Sequence, residues 1–243
     1  MFFGGNGIDR KSLYIILGFL VVISLLNSGT PFLITTILTL PGVLIAISFH
    51  EYAHAWTANY FGDYTPKSQG RLTLNPIVHI DPFGLVLLIF AGIGWGKPVE
   101  INPNNFTSNK SRSKCEMLVS LAGPMMNFII AIVSTFIYFA MGNYAPVNQI
   151  SEILMYIVLY TITINIGLGI FNLIPLPPLD GEKIFRGILP YKAIEWLDRN
   201  SNILQIIFMI LWITGLLGNI VSPIVGTISK FLFKFVGSIF ALF

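Results

Sequence analysis

Two histidines and a glutamate, His50, Glu51 and His54, lie within the apolar stretch ISFHEYAHAW. On a helix, residues four apart share one face, so both imidazoles can bind one ion with the Glu51 carboxylate close by. The spacing H-E-x-x-H is that of a zinc site with its general base. The alternative is a pair of packed histidines beside a snorkelling glutamate. It is disfavoured because ionisable groups inside a membrane span cost about 2.5–3.5 kcal/mol each.

A catalytic zinc site needs a third protein ligand and an open position for water. The candidates are His79, Asp63, Asp81 and Asp180. Asp180 lies in FNLIPLPPLDGEK, where three prolines end a predicted helix with rigid extended backbone and hold the next side chain in place. The residues alone leave the choice among these four open.

The composition is that of a membrane protein. Of the 243 residues, 54% are hydrophobic, only 10% are charged and 20 are Phe, and the mean hydropathy is +0.77, far from the balance of a soluble domain. The net charge of +3 is small and the basic residues show no aromatic interleaving, so a nucleic-acid partner has no support. The single cysteine, Cys115, excludes an internal disulfide framework.

Six apolar runs predict about six transmembrane helices, so we expect an all-α polytopic membrane protein. The runs lie at about 13–27, 31–60, 117–141, 152–174, 203–221 and 224–243. The last run contains Lys230 and Lys234, so it either spans the membrane or lies at the cytoplasmic interface.

Basic residues are distributed unevenly among the loops. The loops at 28–30 and 142–151 contain no Lys or Arg, whereas the N-terminus, the segment 62–116 and the loop 180–200 do. By the positive-inside bias, the N-terminus and the two basic segments are predicted to be cytoplasmic. The stretch LLNSGTPF offers no convincing signal-peptide cleavage site, so we expect the first apolar run to be an uncleaved anchor.

The segment 62–116 is predicted to contain short strands and a re-entrant hairpin. GRLTLNP and KPVEINP are short runs in which apolar and polar residues alternate, and Gly, Pro and Asn bound them. This pattern predicts β-strands at about 71–74 and 98–102. Between them, DPFGLVLLIFAGIGWG is apolar but too short and too glycine-rich to span, which favours a hairpin that dips into the cytoplasmic leaflet.

Two further motifs follow H-E-x-x-H along the chain: GPMMN, with Asn127, and NLIPLPPLDG, which ends at Gly181. The three motifs in this order resemble the site-2 protease family of intramembrane zinc metalloproteases, over about residues 31–190. The resemblance implies that Asp180 is the third ligand of one Zn²⁺ per chain. It also implies that the helices carrying His50, Asn127 and Asp180 form a three-helix catalytic core. No stretch is predicted to form the PDZ or nucleotide-sensing modules of larger members.

The resemblance also implies roles for the polar residues. Glu51 takes a proton from water as the water attacks the scissile carbonyl. Asn127 is expected to donate to the oxyanion or to the substrate backbone, with polar contact between helices as its alternative. Asn172 is expected to orient the proline-rich turn, with substrate contact as its alternative. His79 is expected to brace the strand region; zinc ligation, substrate contact and gating are its alternatives.

We therefore expect residues 1–243 to form one integral membrane metalloprotease domain, with C-terminal helices at 203–243. It would hydrolyse transmembrane segments or membrane-retained peptides, as in regulated intramembrane proteolysis. The strand edge would receive the unwound substrate. We expect a prokaryotic cell membrane, with the active site open to the cytoplasm.

Two other function classes are weighed against the protease. An inactive zinc-binding scaffold of the same fold is disfavoured, since a scaffold needs no base such as Glu51. A metal transporter is expected to have polar residues on several spans, whereas the run 203–221 is nearly bare of them.

Overall fold

The computed structural model describes residues 10–91 and 96–242, which are predominantly helical. The helices are α1 (Arg10–Tyr60), α2 (Thr65–Ser68), α3 (Pro76–His79), α4 (Pro82–Ala91), α5 (Arg112–Tyr144), α6 (Gln149–Asn172), α7 (Asp180–Arg186), α8 (Tyr191–Ile213) and α9 (Leu216–Phe240), with one 3₁₀ turn at Pro103–Asn105. No β-strand occurs in this described part of the chain. The predicted all-α class is confirmed.

Four helical stretches are long and apolar enough to cross a membrane. They are Ile34–Tyr60 within α1, Arg112–Tyr144, Gln149–Asn172 and Leu216–Phe240. About 20 apolar residues in a helix reach across the hydrocarbon core of a bilayer. The chain is therefore an α-helical integral membrane protein, with four candidate spans among the described residues where about six were predicted.

The first predicted loop lies inside a helix. Residues 28–30, expected between two spans, belong to α1, which continues from Arg10 to Tyr60. A single glycine such as Gly29 costs a helix only about 1 kcal/mol, so this short polar stretch need not end it. The predicted end of the helix near Tyr60 is correct.

The boundary between the last two helices also differs from the prediction. α8 ends at Ile213 and α9 begins at Leu216, whereas the runs were placed at 203–221 and 224–243. Gly215 forms the turn with φ of +74°, a left-handed conformation that glycine adopts without strain. Because apolar residues continue on both sides of this turn, hydropathy does not locate it.

The centre of the molecule is formed by α1, α5 and α6, which pack against one another. A buried cluster joins α5 to α6 and is covered by residues of α9; its members are Ala131, Ile162 and Ile166. At the other end of α6, Phe208 of α8 packs with Leu179 and Leu217. The short helix α7 packs against α5.

The predicted β-strands at 71–74 and 98–102 are wrong. Neither segment pairs as a strand, and the isolated bridge in the described structure joins Ile80 to Gly96. The strand edge that was expected to receive substrate is therefore absent as well.

The physical reason is that the backbone in 97–102 bonds to side chains instead of a neighbouring strand. The N–H of Val99 donates to Glu51 Oε2 (2.8 Å), and that of Asn102 donates to Asp63 Oδ2 (2.7 Å). Arg71 donates to carbonyl groups of the same segment. Sequence alternation shows which residues face inward but not where the backbone donors find acceptors.

The predicted hairpin region begins with α4, a 10-residue apolar helix. Residues 92–95, which follow it, lie outside the described residues. The re-entrant hairpin therefore stays a prediction.

Candidate active site

Three side chains converge near the C-terminal end of α1. His50 and His54 share one face of this helix, about 15 and 9 Å before Tyr60 at 1.5 Å per residue, and Asp180 is the first residue of α7. The Nε2 atoms of the two histidines are 3.0 Å apart. Asp180 Oδ2 is 3.0 Å from His50 Nε2 and 3.1 Å from His54 Nε2. The three atoms form a nearly equilateral triangle.

The second nitrogen of each ring donates to an oxygen on α5. His50 Nδ1 lies 2.7 Å from Asn127 Oδ1, and His54 Nδ1 lies 2.7 Å from the carbonyl oxygen of Val119. A carbonyl oxygen only accepts, so each Nδ1 carries the hydrogen and each Nε2 of the neutral ring keeps a free lone pair. Both lone pairs are thus available to an ion beside Asp180.

These three residues fit a zinc ion. Two nitrogen lone pairs and a carboxylate oxygen at about 3 Å from one another repel unless a cation lies among them. Ligands about 2.0–2.2 Å from a tetrahedral zinc stand about 3.3 Å apart, close to the 3.0–3.1 Å between these atoms. With three protein ligands, a tetrahedral ion keeps a fourth position for water, as catalytic zinc sites do.

A glycine on α5 makes room for both imidazoles. A Cβ added to Gly123 would lie 2.6 Å from His54 Cε1 and 2.7 Å from His50 Cε1, closer than side chains pack. The helix backbone therefore approaches the histidines directly. The glycine of GPMMN is therefore a steric requirement of this arrangement.

Glu51 lies beside this cluster and is half-buried. Its Oε2 accepts the N–H of Val99 at 2.8 Å. Its Oε1 has no hydrogen-bond partner among the described residues. One carboxylate oxygen is thus fixed and the other is free to accept a proton from water.

Asn127 is fully buried, and both of its amide hydrogens are used. Its Nδ2 donates to the carbonyl of Ala46 and to Asn165 Oδ1, both at 3.0 Å, while its Oδ1 accepts from His50. Asn165, also fully buried, in turn donates to Thr161 O at 2.8 Å. A chain of amides thus connects α6 through α5 to His50.

Asn165 was missed in the sequence. It stands in TITINIGLGIF on α6, where a polar side chain inside an apolar run is costly without a partner. That cost is the signal that could have identified it. Its partner, 38 residues away, could not have been named from the sequence.

Asn172 bonds within its own helix. Its Nδ2 donates to Leu168 O at 3.0 Å, one turn earlier. This bond does not connect it to the triad of His50, His54 and Asp180.

The other candidate ligands are bonded elsewhere. Asp63 accepts from Thr65, Asn102 and Asn105, and Asp81 accepts the first backbone N–H groups of α4. His79 is fully buried and its Nε2 donates to Thr73 O at 2.7 Å. Burial lowers the pKa of His79 below 6.5, the Thr73 bond opposes this, and the nearby charge of Arg71 lowers it further.

Asp180 is positioned by its neighbours in α7. A Cβ on Gly181 would collide with the carbonyl oxygens of Leu173 and Ile174, so only glycine lets the chain turn back this tightly after α6. Arg186 pairs with Glu182 in the same helix and with an aspartate of α8. The glycine after Asp180 is thus required on steric grounds.

Known proteins resemble this chain over most of its length. It matches peptidase family M50 at residues 38–155 and 144–215. "Putative zinc metalloprotease YwhC" of Bacillus subtilis is 35% identical over 212 residues, 86% of this chain and 93% of the relative. "Putative zinc metalloprotease Rip2" of Mycolicibacterium smegmatis is 34% identical over 151 residues, 60% of this chain and 54% of the relative.

An archaeal relative is more distant. "Zinc metalloprotease MJ0392" of Methanocaldococcus jannaschii is 27% identical over 215 residues, 86% of this chain and 51% of the relative. No solved structure gives a significant match. The family match extends over more than half of the chain, across α1, α5 and α6 and the three motifs they carry. The chain therefore belongs to peptidase family M50, the site-2 protease family of membrane zinc metalloproteases.

Proposed function

We propose that this protein is an intramembrane zinc endopeptidase that hydrolyses peptide bonds in transmembrane segments or membrane-retained peptides. His50, His54 and Asp180 would hold one zinc ion, and Glu51 would be the general base. The proposal rests most directly on one observation: the three donor atoms converge at 3.0–3.1 Å, and two of them belong to a helix that can span a membrane.

The position of the site within α1 supports a membrane substrate. Both histidines lie within the candidate span Ile34–Tyr60, about 9–15 Å from its end. A peptide bond that reaches them must come from a segment at that depth. Because a helix hides its carbonyl groups, such a segment must unwind locally before it is cut.

The chain's own residues account for the proton transfers. Bound zinc would polarise the scissile carbonyl and lower the pKa of its water toward about 7. Glu51 takes a proton from the water as the water oxygen bonds to the carbonyl carbon. Glu51 then gives this proton to the leaving nitrogen as the C–N bond breaks, which yields a carboxylic acid and an amine; the acid then releases the second water proton to the amine or to solvent.

For Asn127 we propose an orienting role. Its Oδ1 fixes the tautomer of His50, and its hydrogens are taken by Ala46 and Asn165. Donation to an oxyanion, which the family resemblance implies, would require it to release one of them. Orientation of His50 needs no such rearrangement.

A cleft of about 320 Å³ with several charged residues in its lining offers a route for water. It lies between the first turns of α5 and α7, and its lining includes Glu116, Val119, Ser120 and Glu182. Val119 also accepts from His54, so the cleft adjoins the site. The positive-inside bias would place its mouth, and the N-terminus, on the cytoplasmic side of a prokaryotic cell membrane.

The test compares purified wild type with Glu51→Gln in proteoliposomes that contain a panel of single-span peptides. Zinc per chain and cleavage products are measured by mass spectrometry. We expect about one zinc per chain in both proteins. Loss of the base should slow cleavage about 10²–10⁴-fold.

Glu152→Gln is the matched control, since Glu152 is an exposed acid in the first turn of α6. It should cleave like wild type. Equal cleavage by the Glu51 variant would contradict the proposal. Zinc binding without any cleavage by wild type would favour the scaffold instead.

A further inference from the structure

Arg71, in the motif GRLTLNP, is a buried cation without an acidic partner. Its exposed fraction is 5%, and the ion pairs in the described structure do not include it. Burying a charge is costly unless polar groups satisfy it. The placement of this guanidinium therefore needs a reason.

Its hydrogen bonds go to two consecutive carbonyl groups. Arg71 Nη2 donates to Lys97 O and, at 3.0 Å, to Pro98 O. The peptide group that begins at the Pro98 carbonyl ends at the N–H of Val99. That N–H is the donor to Glu51 Oε2, at 2.8 Å.

The geometry of one peptide group connects the two side chains. A trans peptide is planar, and its C=O and N–H point in opposite directions. Holding the Pro98 carbonyl toward Arg71 therefore aims the Val99 N–H toward Glu51. The positive charge also polarises the peptide, which strengthens the bond to the carboxylate.

The structure holds this segment firmly on both sides. The N–H of Lys97 donates to His79 O at 2.8 Å, and Gly96 forms a bridge with Ile80. A Cβ on Gly96 would lie 2.8 Å from Ile47 Cγ2, so the segment passes directly over α1, one turn before Glu51.

We propose that Arg71 is a positioning residue for Glu51, acting through the Pro98–Val99 peptide. The inference rests on the proposed function, in which Glu51 is the general base. Arg71 fixes Glu51 Oε2 through this peptide and leaves Oε1 free to accept a proton. It affects the rate of proton transfer and touches neither zinc nor the triad.

The first test measures kcat, KM and zinc content for Arg71→Gln and Arg71→Lys. Since small misplacement of a catalytic group can reduce rates about 10²-fold, we expect the Gln variant to lose about 10- to 100-fold in kcat. KM and zinc per chain should stay unchanged. Lysine can donate to the same carbonyls, so the Lys variant should recover most of the loss.

Lys67→Gln is the control, because Lys67 is an exposed base in the same segment. It should leave kcat unchanged. A wild-type kcat in Arg71→Gln would overturn the proposal, and so would a loss confined to KM or to zinc.

A second pair of variants tests the peptide itself. Val99→Pro deletes the N–H that Glu51 accepts, whereas Val99→Ala keeps it. Only the proline variant should lower kcat, and combining it with Arg71→Gln should add no further loss. Independent, multiplicative losses would contradict action through this peptide.

Hydrogen exchange gives a readout that does not depend on cleavage. Arg71→Gln should speed exchange in the peptide covering 96–102 relative to wild type, whether or not a substrate is cut. Unchanged exchange in this peptide would overturn the proposal that Arg71 holds the Pro98–Val99 peptide group. Absence of cleavage by wild type in the same preparation would instead count against the proposed protease function.

Discussion

At the scale of single residues, the site depends on which nitrogen of each histidine is free. His50 and His54 each donate Nδ1–H to an oxygen on α5, and this leaves both Nε2 atoms facing Asp180. Partners of metal-binding histidines usually contribute about 10- to 100-fold in metal affinity. The proposed zinc site thus depends on α5 as much as on the H-E-x-x-H helix.

Gly123→Ala tests the close approach of α5. The added methyl would lie within 2.7 Å of His50 Cε1, so the rings must move. We expect zinc affinity, measured by competition with a chromogenic chelator, to fall about 10- to 100-fold.

The matched control is Gly226→Ala on α9, where an added Cβ meets nothing within 4 Å. It should bind zinc as wild type does. Equal zinc affinity of the two variants would show that the approach at Gly123 is not required.

Part of the site could be predicted from residue types and spacing. The spacing of His50 and His54 predicted that both face one site, and the family resemblance implied that Asp180 joins them there, as the structure places it. The contact between Asn127 and Asn165 could not be predicted, because it depends on how two apolar helices are rotated against each other. A single sequence does not determine how α5 and α6 are rotated relative to each other.

At the scale of elements, the segments 71–79 and 96–102 act as a brace beside α1. Their alternation was interpreted as strand pairing, yet their donors and acceptors bond to Glu51, Asp63 and Arg71. Side chains that take the place of a neighbouring strand as hydrogen-bond partners cannot be recognised from the alternation of apolar and polar residues alone. The strand prediction failed for this reason.

His79 makes this brace sensitive to pH. The pKa of His79 is lowered in the folded protein, and Arg71 and Glu51 are the charged groups near it. As pH falls below about 6.5, the unfolded state binds a proton that the folded state does not. Stability should therefore be lost as the solution is acidified.

His79→Gln removes the group that takes up this proton in the unfolded state, while the Gln amide can still donate to Thr73 O. We expect wild type to lose more stability than the variant between about pH 7.5 and pH 5.5. Thermal unfolding in detergent is measured after zinc has been chelated, so that zinc release does not contribute. An identical pH dependence in the two proteins would refute the assignment.

At the scale of the whole molecule, hydropathy predicted the spans at α5 and α6 well because each is bounded by polar residues. It failed at Gly215 and at residues 28–30, where apolar sequence continues through a turn or a polar stretch stays helical.

The assembly of the packed centre of α1, α5 and α6 creates the site. His50 and His54 come from α1 and their hydrogen-bond partners from α5, while Asp180 follows α6 by a proline-rich turn. Each helix contributes a part that the others lack. Zinc binding should therefore depend on a residue 126 positions from His54.

Zinc per chain, measured by mass spectrometry on purified wild type, Asp180→Ala and Glu152→Ala, tests this most directly. We predict about one zinc per chain in wild type and in Glu152→Ala, which alters an exposed acid outside the site. Asp180→Ala should lose nearly all of its zinc while it remains folded by circular dichroism. About one zinc per chain in folded Asp180→Ala would contradict the three-residue site.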